Sequence, residues 1–416
     1  MLWTRSISLF LCVALAQAVP QVGPSPPSSC AASVVPTPSA TGEVVSLTST
    51  EQDELFDLHE QLVDIPSISR NETECAEFVH EYLSDLGYYV ERVNVGPGRF
   101  NVFAYPQELR NQSVWPDVLI TSHLDTVAPF IPFERREKNG TVYHYGRGTV
   151  DAKGPVAAMI ISAHSFLQSR SNSTTTPRLG MLFVVGEEIG GDGMKAFATY
   201  ASNVTFRAGI FGEPTEGKLA SGHKGSHSVT LEVTGRPAHS AYPWLGISAI
   251  DWLIEGMVAL NLLEPYLPSS ELLGAGTLNI GRISGGIATN IVPESANASA
   301  SIRIATNSTE EIRTLVEESL AVIKKRAEGA GAVFNVTYAA TPYAAVILDT
   351  DVPGLEVAPV FYGTDIPSLP QVEKKYLYGT STIQIAHTPL EEISQGDLVE
   401  AAEVYGMILR HLFPVN

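Results

Sequence analysis

Short apolar segments alternate with segments of helical spacing in the first half of the chain, and this alternation constrains the fold most strongly. Residues 117–121 (DVLIT), 179–185 and 208–211 are largely apolar runs of the kind that form strands buried inside a sheet. The runs at 155–168 and 194–199, which lie between them, have the spacing of helices. Strands that alternate with helices predict a layered α/β domain built on a mixed sheet.

The pattern changes near residue 223, where an alternating strand begins. The following segments read in order as strand 226–234, helix 247–263, strands 276–283 and 297–304, helix 309–327 and strand 332–338. This β-α-β-β-α-β order is that of a ferredoxin-like domain. We therefore expect a smaller domain at 223–338, inserted into a larger α/β domain formed by residues 46–222 and 339–416.

The first residues have the composition of an export signal. A basic residue precedes an apolar run at 7–15, and the small residues Ala16 and Ala18 follow it as a cleavage motif. We expect residues 1–18 to be removed as a signal peptide and residues 19–45, rich in Pro and Ser, to form a linker or pro-segment. No later run reaches about twenty apolar residues, so a secreted protein without a membrane anchor is predicted.

Asparagine sequons agree with export, because N-linked glycans are added in the secretory pathway. The predicted glycosylation sites are Asn71, Asn111, Asn139, Asn172, Asn203, Asn297, Asn307 and Asn335. Loss of Cys12 with the signal leaves Cys30 and Cys75 in an oxidising compartment. Whether these two thiols form a disulfide stays open, because the sequence does not give their geometry.

The acidic charge of the chain restricts its partners. A formal net charge of −19 repels phosphate backbones, and no basic cluster interrupts it. Nucleic acid is therefore excluded as a partner. The charge fits a soluble protein that works in an acidic medium.

Acidic and imidazole side chains follow each buried strand of the larger domain. In open α/β sheets the ligand site lies beyond the strand ends, so these side chains are expected to lie close together. Carboxylates and neutral imidazoles are donors that zinc accepts. Any one of these motifs is common, but their consistent order favours a metal site over coincidence. The candidate residues are His123 and Asp125 in SHLDTV, Asp151 in GTVDAKG, Glu187 and Glu188 in GEEIGGDG, Glu213 in GEPTE and His387 in AHTPLEE.

As an ordered set, the motifs resemble those of one enzyme family. They are SHLDTV, GRGTVDAKG, GEEIGGDG, GEPTE, GRPAHSAYPWLGISAI and AHTPLEE. The resemblance, over residues 50–412, is to the zinc-dependent exopeptidases that include glutamate carboxypeptidase, fungal carboxypeptidase S, acetylornithine deacetylase and aminoacylase. It implies a di-zinc catalytic domain of residues 46–222 and 339–416, an inserted lid and dimerisation domain at 223–338, and two Zn²⁺ ions per subunit.

The resemblance also implies a role for each candidate residue. Asp151 would bridge the two ions, and a non-proline cis peptide is expected between Asp151 and Ala152. Glu187 corresponds to the general base, and Asp125 to the carboxylate that orients the first zinc-bound imidazole. The first ion would be held by His123, Asp151 and Glu213, and the second by Asp151, Glu188 and His387.

Three residues of the inserted domain correspond to substrate contacts in that family. His239, in RPAHSAYP, matches a histidine that often reaches the site from the partner subunit, which implies a homodimer through the inserted domain. Asn290 and Arg303 match positions that bind the substrate carboxylate, a task that suits the two-pronged guanidinium. One departure is the sequence GTS at 379–381, where many relatives carry Gly-Pro-Gly.

The sequence therefore predicts a secreted di-zinc carboxypeptidase that hydrolyses the C-terminal amide bonds of peptides. An N-acyl amino acid deacylase with the same metals, base and carboxylate contacts remains the alternative. The inserted domain at 223–338 disfavours an aminopeptidase of the leucyl aminopeptidase type. A non-catalytic binding module and a structural cell-wall protein are disfavoured because every ligand and the base are present.

Overall fold

A computed structural model describes residues 45–171, 173 and 175–414 of the 416-residue chain. The predicted signal peptide, residues 19–44 and the sequon residue Asn172 lie outside this part. Cys75 is buried and has no disulfide partner among the described residues. Because Cys30 is not one of them, a bond between the two cysteines is untested.

The described residues form eight α-helices, and polar side chains begin several of them. Thr48 and Ser394, for example, form capping boxes with Glu51 and Asp397. The helices α1 to α8 are Ser49–Asp64, Thr73–Asp85, Gln107–Asn111, Lys153–Ser169, Asp192–Tyr200, Ala249–Leu263, Thr309–Gly329 and Gln395–Leu412. Short 3-10 turns lie at Pro243–Leu245, Glu264–Tyr266, Ile366–Ser368 and Ile383–Ile385. None of these described helices combines the length and apolar character needed to cross a bilayer.

The same part of the chain contains eighteen β-strands. Strands β1 to β9 are Tyr88–Gly96, Arg99–Pro106, Val118–His123, Glu134–Lys138, Thr141–Tyr145, Leu179–Val184, Phe206–Gly212, Leu219–His223 and Gly225–Thr234. Strands β10 to β18 are Ser269–Ser270, Gly274–Ala275, Thr277–Gly285, Ser295–Ile304, Val333–Tyr338, Val346–Ile347, Val357–Val360, Val372–Tyr378 and Glu392–Ser394.

A six-stranded mixed sheet forms the centre of the larger domain, in the order β1-β2-β6-β3-β7-β17. Strands β6, β3, β7 and β17 run parallel, whereas β1 and β2 form an antiparallel edge. Helices α1, α2, α4 and α8 pack on one face, and α5 packs on the other. Every residue of β3 and β6 is buried, because helices cover both faces of the sheet.

A separate four-stranded antiparallel sheet, in the order β12-β13-β9-β14, is formed by the inserted segment. One face packs on α6 and α7 around residues such as Leu231, Leu253 and Val316. Along β9 and β13 the side chains alternate between this core and the open face. Together with the central mixed sheet, this arrangement confirms the predicted fold class, an α/β domain with an inserted ferredoxin-like domain.

The open face of this smaller sheet carries two of the predicted glycosylation sites. Asn297 on β13 and Asn335 on β14 both stand opposite Glu232 on β9. Glu232 and Asn335 are exposed, and Asn297 is half-buried.

Candidate metal centre

Three parallel strands of the central sheet end at one edge, and a candidate ligand lies at or just beyond the end of each. His123 is the last residue of β3, Glu213 comes directly after β7, and Glu188 lies in the turn after β6. Asp151 and His387 reach the same edge from turns before α4 and after the 3-10 turn Ile383–Ile385. Because the carboxyl ends of parallel strands meet, side chains far apart in sequence come together here.

The inner triad consists of His123, Asp151 and Glu213, and all three side chains are buried. His123 Nε2 lies 2.9 Å from Asp151 Oδ1 and 3.8 Å from Glu213 Oε1. His123 Nδ1 donates to the main-chain carbonyl of Asp125 at 2.9 Å, which turns Nε2 towards the carboxylates. Burial opposes the charged imidazole, but contacts with Asp125 and Asp151 raise the pKa of His123 well above its usual range.

The outer triad consists of Asp151, Glu188 and His387. His387 Nε2 lies 2.9 Å from Glu188 Oε1 and 3.3 Å from Asp151 Oδ2. These two carboxylates, Asp151 first, raise the pKa of His387 to about 10. Asp151 therefore serves both triads, with one carboxylate oxygen towards each histidine. The Asp151–Ala152 peptide is cis, as the family resemblance predicts.

The charge balance of the two triads fits cations. Burial raises the pKa of Glu187 and Glu213 well above the usual range, and it also raises the pKa of Glu188. Burial, together with neighbouring carboxylates, disfavours negative charge on these acids, and a cation bound among them would oppose that effect. Within each triad, the possible ligand atoms lie within 4.8 Å of one another. Two imidazoles and three carboxylates form a donor set that suits a pair of zinc-like divalent ions.

Both the main chain and the side chain of Asp125 face the imidazole of His123. The Asp125 carbonyl accepts from His123 Nδ1 at 2.9 Å, and the carboxylate oxygen Oδ1 lies 3.6 Å from the same nitrogen. The carboxylate accepts the main-chain N–H groups of Glu187, at 3.0 Å, and Glu188, at 3.3 Å. Ser69 Oγ donates to it at 2.7 Å. Asp125 thus connects the end of β3 to the main chain of Glu187 and Glu188, which follow β6.

Glu391 holds the turn that carries the shared ligand, a role the sequence did not reveal. Its Oε1 accepts the main-chain N–H groups of Gly148, Val150 and Asp151, at 3.0, 3.1 and 3.2 Å. Its Oε2 accepts from Arg147 Nη1 at 2.6 Å, and both side chains are buried. One carboxylate, four residues after His387, therefore connects the C-terminal segment to the Asp151 turn.

Two further buried groups, the Lys153 ammonium and the imidazole of His59, contact the region of the Asp151 turn. Lys153 Nζ donates to the carbonyls of Leu62 and Ile65, at 2.8 and 2.7 Å, and so ties the turn to the end of α1. His59 Nε2 lies 3.2 Å from the Thr149 carbonyl, and its Nδ1 lies 2.9 Å from His144 Nδ1. Burial lowers the pKa of His144 to about 4, and that of His59 well below its usual value. The two imidazoles are therefore a neutral pair in which one ring donates to the other.

A cleft of about 930 Å³ opens over the triads. Glu187, Glu188 and Arg303 line it, and so does Asp365, which sequence reasoning missed. Asp365 is buried, its Oδ2 has no hydrogen-bond partner in the described part of the chain, and burial raises its pKa to about 7. No local pattern distinguishes Asp365 from an ordinary turn residue, because its burial depends on packing against the Gly190–Gly191 turn.

The two other predicted substrate contacts lie elsewhere. His239 and Asn290 are both exposed and belong to neighbouring loops, joined where Ser240 N donates to the Asn290 carbonyl at 2.9 Å. Neither lines the cleft described above. The chain therefore brings Arg303, but not His239 or Asn290, to its own triads.

The mixed sheet, the inserted domain and the paired triads define the class of protein, a two-domain hydrolase with a candidate dinuclear centre. Residues 221–329 match a family model described as a peptidase dimerisation domain of the M20 group. A probable carboxypeptidase of Aspergillus niger is 41% identical over 413 residues, which cover 92% of this chain and 97% of the relative. The chain belongs to the M20 family of peptidases.

Solved structures of that family share the fold. An M20 metallo-carboxypeptidase of Sulfolobus solfataricus, 19% identical, aligns with a TM-score of 0.65 over 86% of this chain and 98% of its own. A dinuclear metal-binding M20 peptidase of Bacillus subtilis, 15% identical, aligns with a TM-score of 0.59 over 88% of this chain and 100% of its own. Family membership makes the chain a peptidase, and its fungal relatives carry the name probable carboxypeptidase.

Proposed function

We propose that this protein is a secreted di-zinc carboxypeptidase that hydrolyses the C-terminal amide bond of peptides. The observation that carries the proposal is the position of Asp151. Its two carboxylate oxygens face different triads, 2.9 Å from His123 Nε2 and 3.3 Å from His387 Nε2. A carboxylate placed in this way is suited to bridge two ions.

In this proposal the inner triad holds one zinc ion and the outer triad the other. When bound, the ions supply Lewis acidity towards the scissile carbonyl and lower the pKa of water. Glu187 lines the cleft beside both triads, and Asp125 fixes its main chain. Its raised pKa suits a group that accepts a proton from water and passes it to the leaving amine. The adjacent Glu188 belongs to the outer triad. Glu188 would therefore bind metal, and Glu187 would transfer the proton.

Arg303 supports a substrate with a free carboxylate. Its side chain reaches the cleft from β13, and the Tyr343 hydroxyl and Gly363 lie against it. No carboxylate in the described part of the chain forms an ion pair with Arg303, so the guanidinium is available to an anionic ligand. The C-terminal carboxylate of a peptide is the anion that this reaction presents.

A homodimer through the inserted domain would complete the site. His239 and Asn290 are exposed on loops of that domain and do not reach the cleft of their own chain. In a dimer each copy would supply these two residues to its partner. The match of residues 221–329 to a dimerisation domain supports this arrangement.

Secretion is supported by the sequence and by the exposure of its sequons. Among the described sequon residues, Asn71, Asn111, Asn139, Asn203, Asn307 and Asn335 are exposed, and only Asn297 is half-buried. Exposed side chains can carry glycans without disturbing the core. Export with residues 1–18 as the signal and 19–45 as a linker or pro-segment remains part of the proposal.

The decisive experiment compares three substrate classes with one preparation of the glycosylated protein. N-blocked dipeptides, free dipeptides and N-acetyl amino acids are incubated with the purified protein, before and after chelation and after addition of zinc, and bound metal is counted by mass spectrometry. We expect two zinc ions per chain, fastest hydrolysis of the N-blocked dipeptides, loss of activity on chelation and recovery with zinc.

The other outcomes identify the competing activities. Faster hydrolysis of N-acetyl amino acids would make the protein a deacylase, which uses the same Arg303 contact. A requirement for a free amino terminus would make it an aminopeptidase or dipeptidase. Hydrolysis that survives complete removal of metal would contradict the roles proposed for both triads.

A further inference from the structure

A second cavity adjoins the cleft on the side of Arg303. It has a volume of about 420 Å³ and lies between the turn after β7, strand β16 and the 3-10 turn Ile383–Ile385. Arg303, Tyr362 and Ile383 line both the cleft and this side pocket. The two spaces therefore meet at Arg303, and a ligand that contacts its guanidinium can enter either of them.

Apolar side chains supply most of the wall of the side pocket. Pro214, Ala358, Pro359, Val360 and Phe361 contribute to it, together with the shared Tyr362 and Ile383. Phe361 remains 49% exposed, although an aromatic ring gains most from burial. Lys224 Nζ lies 5.0 Å from the centroid of the ring, and the rest of the ring surface is open to an apolar ligand group.

Several polar residues at the rim of the pocket already have hydrogen-bond partners. Thr215 Oγ1 donates to the carbonyls of Lys218 and Gly379, at 2.6 and 2.9 Å. Glu216 Oε1 accepts from Thr382 Oγ1 at 3.3 Å. The Tyr362 hydroxyl donates to the Pro214 carbonyl at 2.8 Å. Two further polar residues, Lys218 and Gln384, belong to the lining, and Lys218 Nζ lies 3.5 Å from Glu356 Oε2. Apart from these positions, a ligand group that enters the pocket meets mainly apolar surface.

Arg303 is held at the mouth of the pocket by close packing. A Cβ atom at Gly363 would lie 2.0 Å from the Tyr343 hydroxyl and 3.1 Å from Arg303 Nη1, so only glycine permits this approach. A carboxylate bound by Arg303 is consequently placed at a fixed distance from the apolar wall. The carboxylate and side chain of a C-terminal residue share one Cα atom, so the side chain must begin within a few bonds of that point.

We propose that the side pocket receives the side chain of the substrate's C-terminal residue, and that the protein therefore prefers peptides ending in a large aliphatic or aromatic residue. This inference rests on the proposed function, since it takes Arg303 to bind the C-terminal carboxylate. It adds the substrate class that the triads themselves leave unspecified.

A series of N-blocked dipeptides that differ only in the C-terminal residue tests the proposal on the unaltered, zinc-loaded protein. For substrates ending in Leu or Phe we expect a kcat/KM at least about 10-fold above that of the substrate ending in Gly. Substrates ending in Glu or Lys should fall below those ending in Leu or Phe, because most of the wall is apolar and a charged side chain would lose water against it. Equal rates across the series, or a preference for Glu or Lys, would overturn the proposal.

Variants locate the preference in the pocket. Phe361→Ala removes one wall and should reduce the ratio of kcat/KM for Phe over Gly by roughly 10-fold, and Phe361→Leu should restore part of it. Val322→Ala, which truncates an exposed apolar side chain on α7, is the matched control and should leave the ratio unchanged. If Phe361→Ala behaves like the control, the pocket does not select the side chain.

Inhibition of the unaltered protein keeps the proposal testable if Phe361→Ala does not fold. Free leucine and phenylalanine should inhibit competitively at concentrations about 10-fold below glycine, because each presents the same carboxylate with a different side chain. The outcomes also separate the two levels of inference. Hydrolysis at the C terminus without side-chain preference removes this proposal alone, whereas a zinc-loaded protein that cleaves no C-terminal bond removes the proposed function as well.

Discussion

The inner and outer triads share Asp151 but differ in how the chain surrounds them. The side chains of His123, Glu213 and Glu188 are 1%, 10% and 8% exposed, whereas that of His387 is 49% exposed, so the outer triad is open to solvent at its histidine. His123 and Glu213 are placed by buried strands whose neighbours fix the backbone. Glu188 and His387 lie in turns, and His387 has the unusual φ of 63°. The inner triad is therefore held by rigid strands, whereas the outer triad depends on turns whose conformation can change. We expect the inner triad to bind its ion more tightly.

Removing one histidine from each triad has the largest expected effect and tests the comparison directly. His123→Ala leaves buried carboxylates without their partner, so we expect no measurable activity, little bound metal and a lower melting temperature. His387→Ala removes a half-exposed side chain, so one of two zinc ions should remain and the melting temperature should change little. The metal content and the melting temperature of each variant test these expectations. The reverse pattern, with metal retained only in His123→Ala, would invert the comparison.

The adjacent glutamates give the next largest effect, because only one of them belongs to a triad. Glu187→Gln should lower kcat by roughly 10²- to 10⁴-fold while both ions stay bound. Glu188→Gln, the matched control, should reduce the metal content of the outer triad as well as the rate. Steady-state kinetics beside metal analysis distinguishes them, and full activity in Glu187→Gln would refute its role as the base.

Glu391 tests whether the shared ligand couples the two triads. Glu391→Gln keeps the shape of the side chain but removes the charge that faces Arg147 and three main-chain N–H groups. We expect zinc affinity to fall by roughly 10- to 100-fold, at both triads, because both depend on the Asp151 turn. Glu392→Gln, which alters the neighbouring contact with Lys138, is the control. Titration with a competing chelator should show no such loss for the control.

The smallest expected effect is a loss of folding stability as the pH falls. It should not change the difference in exposure and rigidity between the inner and outer triads. His144 titrates near 6.5 in the unfolded chain but has a pKa of about 4 in the fold, because it is buried. Between those pH values His144 is protonated in the unfolded state but not in the folded state. The free energy of unfolding therefore decreases as the pH drops from about 6.5 to about 4. This loss of stability should affect both triads equally, because both depend on the Asp151 turn. His59 connects the His59–His144 pair to that turn through the Thr149 carbonyl.

Melting temperature measured against pH on the metal-free protein checks this prediction. We expect a decline of a few degrees across the window for the unaltered protein and a shallower decline for His144→Gln. His80→Gln, at a half-buried position on α2, should follow the unaltered protein. A decline that begins only below pH 4 would contradict the role of the pair.

The sequence predicted those parts of the fold whose pattern is local. The apolar runs at 117–121, 179–185 and 208–211 correspond to β3, β6 and β7 with ends shifted by one or two residues. Their hydrophobic character suffices because both faces of the sheet are covered. The six segments of the inserted domain were recognisable for a similar reason, since one open face leaves alternation in the strands.

Other elements were missed although one of them has a local signal. Strands β4 and β5 form a hairpin with Lys138 opposite Thr141, and the two residues between them, Asn139 and Gly140, have φ values of 53° and 78°. An Asn-Gly pair is the strongest short hairpin signal. Asn139 is also the first residue of a sequon, and the glycosylation motif is the feature that stands out in the sequence. The short strands β8, β15 and β16 carry no comparable pattern.

The candidate ligands could be predicted because their donor atoms are characteristic, whereas the residues that hold them could not. The strand ends and the order of motifs indicated His123, Asp151 and Glu213 together. Glu391 stands within a motif that was recognised for His387, but its partners are main-chain N–H groups more than 200 residues away. Contacts to main-chain groups leave no trace in the partner's sequence, so only coordinates reveal them.

The late position of Glu391 has a consequence for biosynthesis. The last of the candidate ligands is residue 387, and the carboxylate that secures the Asp151 turn follows at 391 in a chain of 416. A growing polypeptide on the ribosome therefore has no complete cation site until residue 391 has been added. Under the proposed function, the crowded acids of the two triads come together only when this late segment folds against the Asp151 turn, so ion binding and the last step of folding are expected to be coupled.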